Sequence, residues 1–369
     1  MNVTSSLVTI LDGEEVPKVH HKSLYIIVPM IPMFFMMFVG IILMNPKKEE
    51  YRPDPLRTKT FSRDQLNLRI LKRDYHQLDR HTWRIGYLDK FRFIRKKKYM
   101  HLNAFRESLP YHFNVCQLII CQRYQYINSS EVPNFFKNNE PENITTAFDL
   151  LNVNQISLEP TEFILTQAPL RHTVEHFWSM IAEKRASTII SLASDTLDCF
   201  PTNAKTKYFD YNHRLRVLEL DKKRISSTIH QYTYRIIYQY KDFKVTRIAI
   251  DYRTRWLPVS LDDLDLLVDS YLEVVTEKSP PSGPTVVFCH DAVKRTSVFI
   301  VAFYIRKMIK FMIKRVDIFG LILYLRQFRA KSISHYTDYL LLHNYLARII
   351  ERQKKLGPVK VRKSIEGVF

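Results

Sequence analysis

Between Gly86 and Gly283 this chain contains no glycine, and its 369 residues hold only seven. Average usage of roughly 7% would supply about 26. Glycine lets a backbone take positive φ and lie close against a phosphate. A Rossmann or Walker-type phosphate loop is therefore not expected inside that span. The chain is otherwise well equipped to fold. Hydrophobic residues make up 46% of it, which excludes wholesale disorder. Four cysteines in so long a chain exclude a disulfide-stapled mini-domain. Lys and Arg number 56 against 37 Asp and Glu, a net charge of +19 that favours anionic partners.

Ser23 to Met44 runs without a charge. As a helix it would reach ~33 Å, enough for a hydrocarbon core of about 30 Å. A signal peptide has a shorter apolar stretch and a small-residue cleavage site, which Leu43-Met44-Asn45-Pro46 does not offer. The expectation is one retained transmembrane helix over 23–44, with Pro29 and Pro32 as kink points that lipid-embedded helices tolerate. Lys18 and Lys22 precede it, and Lys47, Lys48, Arg52, Arg57 and Lys59 follow it. This asymmetry places the short N-terminus, 1–22, outside and the main body in the cytosol, as a single-pass membrane protein. On that topology the sequons at Asn128 and Asn143 never meet the glycosylation machinery. Cys116, Cys121, Cys199 and Cys289 then remain thiols. Residues 45–95 read as a basic juxtamembrane connector, helical over Asp64 to Leu78. The run Arg95-Lys96-Lys97-Lys98 reads either as a solvated face or as a patch drawn to anionic lipid. No nucleic-acid motif accompanies the charge, so nucleic acid is not an expected partner.

From about 100 to 350, strand and helix signals alternate, which reads as an α/β fold with a mixed sheet and helices around it. Cys116 to Gln122, Thr188 to Leu192, two runs within Ile225 to Val245, and Pro284 to Phe288 read as strands. Thr173 to Glu183, Asp262 to Val275, Thr296 to Lys310, Phe311 to Phe328 and Ser334 to Arg352 read as helices. The tail, 353–369, is basic.

Chemistry concentrates at one junction, Val286 to Ser297. A buried strand ends at Cys289, a short loop follows and closes on Arg295, and an apolar helix begins. Such a turn aims backbone N–H groups and a helix N-terminus at one point, an anion site. A cysteine there has its pKa lowered and becomes a thiolate nucleophile. The arginine can grip two phosphate oxygens as a fork. The competing reading is a buried cysteine at a strand end and a surface arginine.

Cys-x5-Arg after an apolar strand resembles the phosphate-binding signature of the classical protein tyrosine phosphatases. Other segments agree, in order. Leu165-Thr-Gln-Ala-Pro-Leu170, Thr173-Val174 and His176-Phe-Trp178 resemble the family's Thr-Gln-Gly-Pro-Leu…Thr-Val-x-x-Phe-Trp stretch. Tyr124 to Asn128 resembles its Asp-Tyr-Ile-Asn-Ala. Asn103-Ala-Phe105 with Leu109-Pro-Tyr111 resembles the loop whose tyrosine stacks on phosphotyrosine. Leu325-Arg326 with Ser334 to Tyr339 resembles its glutamine-bearing segment. The resemblance implies a phosphatase-like domain over 96–352, a twisted mixed sheet flanked by helices, with Cys289 at the base of the cleft. It implies no cofactor and no metal.

The departures from the family fall on function. Ala292, Lys294 and Ser297 stand where the family loop has glycines, and Phe288 stands where a histidine helps hold the thiolate. Asp291 adds a carboxylate beside the place of a phosphate dianion, repulsive unless it turns away. These changes are expected to raise the Cys289 pKa, with His290 and Lys294 as partial compensation. The general acid is missing on either alignment of Tyr252 to Ser260. Thr254 takes its place if Pro258-x-Ser260 is matched, and Pro258 takes it if Trp256 is the loop tryptophan. Such a loss typically slows reaction by about 10²–10⁴-fold. Ser334 and Asp338 replace the water-positioning glutamines, and Phe105 replaces the stacking tyrosine. The first expectation is thus a catalytically impaired phosphatase-like protein that binds phosphotyrosine proteins or scaffolds. Its site would be Cys289 and Arg295, lined by Phe105, His290, Asp291, Ala292, Val293 and Lys294. The alternatives are a slow active phosphatase using Cys289 with Asp262 or Asp291 as acid, and a purely structural interaction module.

Overall fold

Thr285–Cys289 (TVVFC) is buried at every position, as a strand covered on both faces must be. This strand, β9, lies in the parallel middle of a mixed sheet that has nine strands among the described residues of the computed structural model. The model describes residues 68–85, 93–94, 96–119, 125–135, 161–193, 199–201, 207–208, 215–239, 241–251, 259–277, 283–310 and 316–356. The apolar run 23–44, Cys121, Asn143, the acid-loop stretch 252–258 and the tail beyond 356 lie outside them. Among the described residues no helix is long and apolar enough to cross a membrane.

The strands are β1 (Val115–Gln117), β2 (Tyr126–Pro133), β3 (Thr161–Gln167), β4 (Thr188–Ser191), β5 (Lys207–Tyr208), β6 (Leu215–Arg224), β7 (Ile229–Tyr238), β8 (Lys241–Ile250) and β9. The helices are α1 (Leu68–Ile85), α2 (Val174–Glu183), α3 (Leu261–Glu277), α4 (Lys294–Lys310), α5 (Ile318–Phe328) and α6 (Tyr336–Leu356). Strand order is β1-β2-β3-β9-β4-β8-β7-β6-β5. The middle four, β3, β9, β4 and β8, run parallel. Antiparallel strands extend the sheet on either side. Helix α4 packs on β9, and α5 and α6 pack on α4.

The two β-rich runs expected within 225–245 are parts of β7 and β8, the second and third of three ten-residue strands. The first, β6, was not legible. It reads LRVLELDKKR, buried at Leu215 and Val217 but exposed along its second half, so apolar alternation marks only its start. The expected strand 116–122 is described only as the short β1. Helix α4 starts two positions earlier than expected, at Lys294, for a reason that lies in the loop before it. Helix α5 starts at Ile318, where Asp317 caps it by accepting from Gly320 N–H at 2.9 Å.

An aromatic cluster fills the core beneath the catalytic-type junction. Trp178 is fully buried and meets Phe177, Phe200 and Tyr234 edge-on at 5.7, 5.3 and 5.7 Å. Phe288 stacks on Phe200 at 6.0 Å and meets Phe177 edge-on at 5.5 Å. The residue in the family's histidine place is therefore a core aromatic. Gly283, at the entrance to β9, is needed for close approach: a Cβ there would collide with the Arg185 carbonyl.

One core group makes stability depend on pH. The His343 ring packs edge-on to Tyr339 at 4.7 Å. The residue as a whole is only half-buried, but its Nε2 is shut off from solvent without a hydrogen-bond partner among the described residues. Burial lowers its pKa from 6.5 to about 4. The unfolded chain thus binds a proton near 6.5 that the folded chain refuses until about 4. The contribution is complete above the unfolded value and is lost as pH falls through that window, up to about 3 kcal/mol. Denaturant titrations should show this acid loss, and His343→Leu should flatten it.

Candidate functional site

Strand β9 ends at Cys289 and α4 begins at Lys294, so the intervening loop sits at the C-terminal edge of the parallel strands. Neighbouring strands fix its start. Ala168 N–H donates to Cys289 O at 2.7 Å, and Leu192 N–H donates to Phe288 O at 2.9 Å. Cys289 is 2% exposed.

Asp291 turns into the loop. Its Oδ1 accepts from Val293 N–H at 2.9 Å and from Lys294 N–H at 3.1 Å. Lys294 N–H is the first amide of α4 and Val293 N–H lies one residue before it, so Asp291 caps the start of that helix. The cap explains why α4 begins ahead of the apolar run. The same Oδ1 also accepts from the Cys289 thiol at 3.1 Å. Burial first, and the Asp291 charge second, push the Cys289 thiol up to about 11, against backbone N–H groups of Thr296 and Asp291 that favour the thiolate. Cys289 is therefore a protonated thiol at neutral pH. The expected upward shift is present, and its causes are burial and Asp291.

Ala292 adopts φ of 60°. The backbone has kept the left-handed conformation of a glycine place although a side chain now occupies it, at about 1–2 kcal/mol. Lys294 shows no such strain, because its position is the first of a right-handed helix. Val293 is buried, whereas His290 and Lys294 are half-buried. Arg295 is 8% exposed, and its Nη1 donates to Leu192 O at 3.2 Å.

The aromatic wall comes from the loop after a 3-10 turn at Lys97–Leu102. Phe105 is 46% exposed there. Sequence reasoning missed what holds this loop. Gln167, at the end of β3, accepts from Ala104 N–H at 2.9 Å and donates to Leu102 O at 2.8 Å. Asn128 Nδ2 donates to Gln167 Oε1 and to Ser108 O, each at 3.0 Å. Beneath them Arg329, fully buried, donates to Asn128 Oδ1 at 2.7 Å, Ser108 O at 2.8 Å and Ser130 Oγ at 3.2 Å. Burial lowers the Arg329 pKa to about 10, and Tyr126, Asp291 and Cys289 oppose that shift. A buried cation thus lies within electrostatic reach of the loop. Asn128, the first sequon asparagine, is 1% exposed and spends its amide inside the fold.

The segment expected to carry the hydrolytic glutamines lies over α5 and α6. Arg326 fixes it by donating to Ser332 O at 2.8 Å and Ile333 O at 3.0 Å, and by pairing with Asp79 at 2.9 Å. Ser334 is half-buried. Burial raises the Asp338 pKa, and its carboxyl also feels His335, Lys294, Asp291 and Arg295. The alternative acid Asp262 and its neighbour Asp263 are engaged elsewhere. Asp262 pairs with Arg348, and Asp263 accepts from Ser260 Oγ at 2.8 Å and Thr228 Oγ1 at 2.7 Å. Both belong to the first turn of α3, as the sequence indicated. Among the described residues no cluster of His, Cys, Asp and Glu is arranged to hold a metal ion.

A buried central strand ending in Cys, a loop closing on Arg and a covered mixed sheet define a cysteine-phosphatase type of fold. A family model described as protein-tyrosine phosphatase matches residues 99–348, and the chain belongs to that family. It is 29% identical over 212 residues to human tyrosine-protein phosphatase non-receptor type 7, covering 54% of this chain and 56% of that protein. It is 27% identical over 210 residues to zebrafish (Danio rerio) receptor-type tyrosine-protein phosphatase F, covering 54% of this chain but only 10% of that one. A solved structure of PTPN18 in complex with HER2 phosphopeptides superposes with a TM-score of 0.62 at 16% identity, over 76% of this chain and 93% of that one. That likeness concerns the fold. The chain spans little of its receptor-type relatives.

Proposed function

We propose that this chain is a membrane-anchored, catalytically impaired protein tyrosine phosphatase that binds a phosphotyrosine-bearing partner, or scaffolds it, in the cytosol. The observation that carries the impairment is the Cys289 thiol donating to Asp291, with its pKa raised to about 11. Phosphatase chemistry of this kind needs the thiolate to attack phosphorus while the tyrosine oxygen leaves. With its pKa raised in this way, only a small fraction of the thiol is ionised at neutral pH. The missing acid at 252–258 acts in that same step, by protonating the leaving oxygen, and the Ser334 and Asp338 replacements act on the later hydrolysis, so the losses compound.

Ligand binding has more support than turnover. Phe105 offers an exposed ring on a loop tied down by Gln167 and Asn128. Arg295, Lys294 and the buried Arg329 give the site positive charge, and PTPN18 shows that the fold can hold phosphopeptides. His290, Ala292 and Val293 would line the pocket floor. The run 23–44 and the receptor-type relatives support the anchor.

The test is hydrolysis of a phosphotyrosine peptide by the full chain, with binding followed in parallel. We expect binding, and turnover at least about 10²-fold below the 1–10³ s⁻¹ common for enzymes. Any residual turnover through the small thiolate fraction should be lost in Cys289→Ser. Turnover within the common range, abolished by Cys289→Ser, would contradict the proposal.

A further inference from the structure

The donors of this loop already have an anion. Val293 N–H, Lys294 N–H and the Cys289 thiol all point at one oxygen of Asp291, at 2.9, 3.1 and 3.1 Å. Amides at a helix start are the groups a phosphate oxygen would take. Helix capping alone does not account for the arrangement. A capping Asp needs neither a thiol on the same oxygen nor a left-handed residue after it. Here Ala292 holds φ of 60° against its own Cβ, and the loop stays curled so that the donors converge. The curl suited to a phosphate is retained, and a side chain fills it.

We propose that Asp291 is a built-in competitor for the phosphate of an incoming phosphotyrosine. It acts twice: its Oδ1 holds the donors, and its charge repels a dianion. The inference rests on the reading of this loop as an anion site. Among the described residues nothing donates to Asp291 Oδ2. A phosphate monoester entering past Phe105 meets a carboxylate, whereas the phenol of an unphosphorylated tyrosine can donate to it. The wild-type site therefore discriminates poorly between phosphotyrosine and tyrosine, and Asp291 is the residue that sets this selectivity. Of the nearby cations, Arg295 is buried with Nη1 turned to the Leu192 carbonyl, while Lys294 and the buried Arg329 offset the carboxylate charge only in part.

The experiment is calorimetry on the full chain in detergent, with one tyrosine peptide in phosphorylated and unphosphorylated forms. Asp291→Ser keeps a capping hydroxyl and removes the charge. Asp291→Asn keeps the shape of the cap and guards against misfolding of the first variant. Asp291→Ser should bind the phosphopeptide about tenfold or more tighter than wild type, with no gain for the unphosphorylated peptide. Asp291→Asn should gain less, because its amide oxygen still holds the donors. Equal phosphopeptide affinity in wild type and both variants overturns the competitor role and leaves the anion-site reading standing. A gain shared equally by both peptides also overturns it. Failure of all three proteins to bind the phosphopeptide overturns the competitor role and the anion-site reading together.

Discussion

Trp178→Ala is expected to lower the stability of the phosphatase domain by about 3–5 kcal/mol, a large part of the 5–15 kcal/mol that holds a typical domain together. Trp178 has no exposed surface and touches Phe177, Phe200 and Tyr234 edge-on. Its Nε1–H donates to Cys199 O at 3.0 Å, so truncation also strands a buried carbonyl. The surrounding rings come from α2, β7 and the segment 199–201 and cannot close over the gap together. Chemical denaturation should show the midpoint falling with an unchanged slope. Phe288 belongs to the same cluster and immediately precedes Cys289. The loss should therefore reach the site, and phosphopeptide binding should weaken beyond what the unfolded fraction explains. A cost under about 1 kcal/mol would mean that the cluster repacks freely.

The cluster also shows what was legible in the sequence. The Thr-Gln-Ala-Pro and Phe-Trp blocks, the apolar strand before Cys289 and the apolar helix after Arg295 rest on local patterning, which survives without tertiary knowledge. They placed the central strand, α2 and α4 nearly where the structure has them. The glycine losses were visible too, but not their individual consequences. Ala292 keeps the left-handed turn, while Lys294 sits in a helix that never needed one. The direction of Asp291 was beyond reach. It depends on where α4 begins, and α4 begins where it does because Asp291 caps it. The sequence leaves open whether this carboxylate points into the cleft or away from it, and the structure turns it inward onto uncharged donors. The Gln167, Asn128 and Arg329 network was hidden for a related reason. Polar residues announce burial only through partners distant in sequence, such as Ser108 and Ser130 for Arg329.

The ionisation of Cys289 has the largest expected effect of all, because a thiol with pKa of about 11 differs from a phosphatase thiolate by orders of magnitude in reactivity at neutral pH. Burial is the main cause and Asp291 the second. Removing the Asp291 charge should therefore lower the value only in part, and Phe288 still supplies no polar group to hold a thiolate. Cys116 is a built-in reference for an inert buried thiol: it has no exposed surface, and burial raises its pKa as well. The decisive measurement is the rate of Cys289 alkylation by iodoacetamide in the folded chain, followed by peptide mass mapping from pH 5 upward. The expected rate is very low at pH 7 and climbs roughly tenfold per pH unit as far as the fold survives. A rate that is already high and flat near neutral pH would show a ready thiolate, and would contradict the central claim that this phosphatase fold has lost its nucleophile.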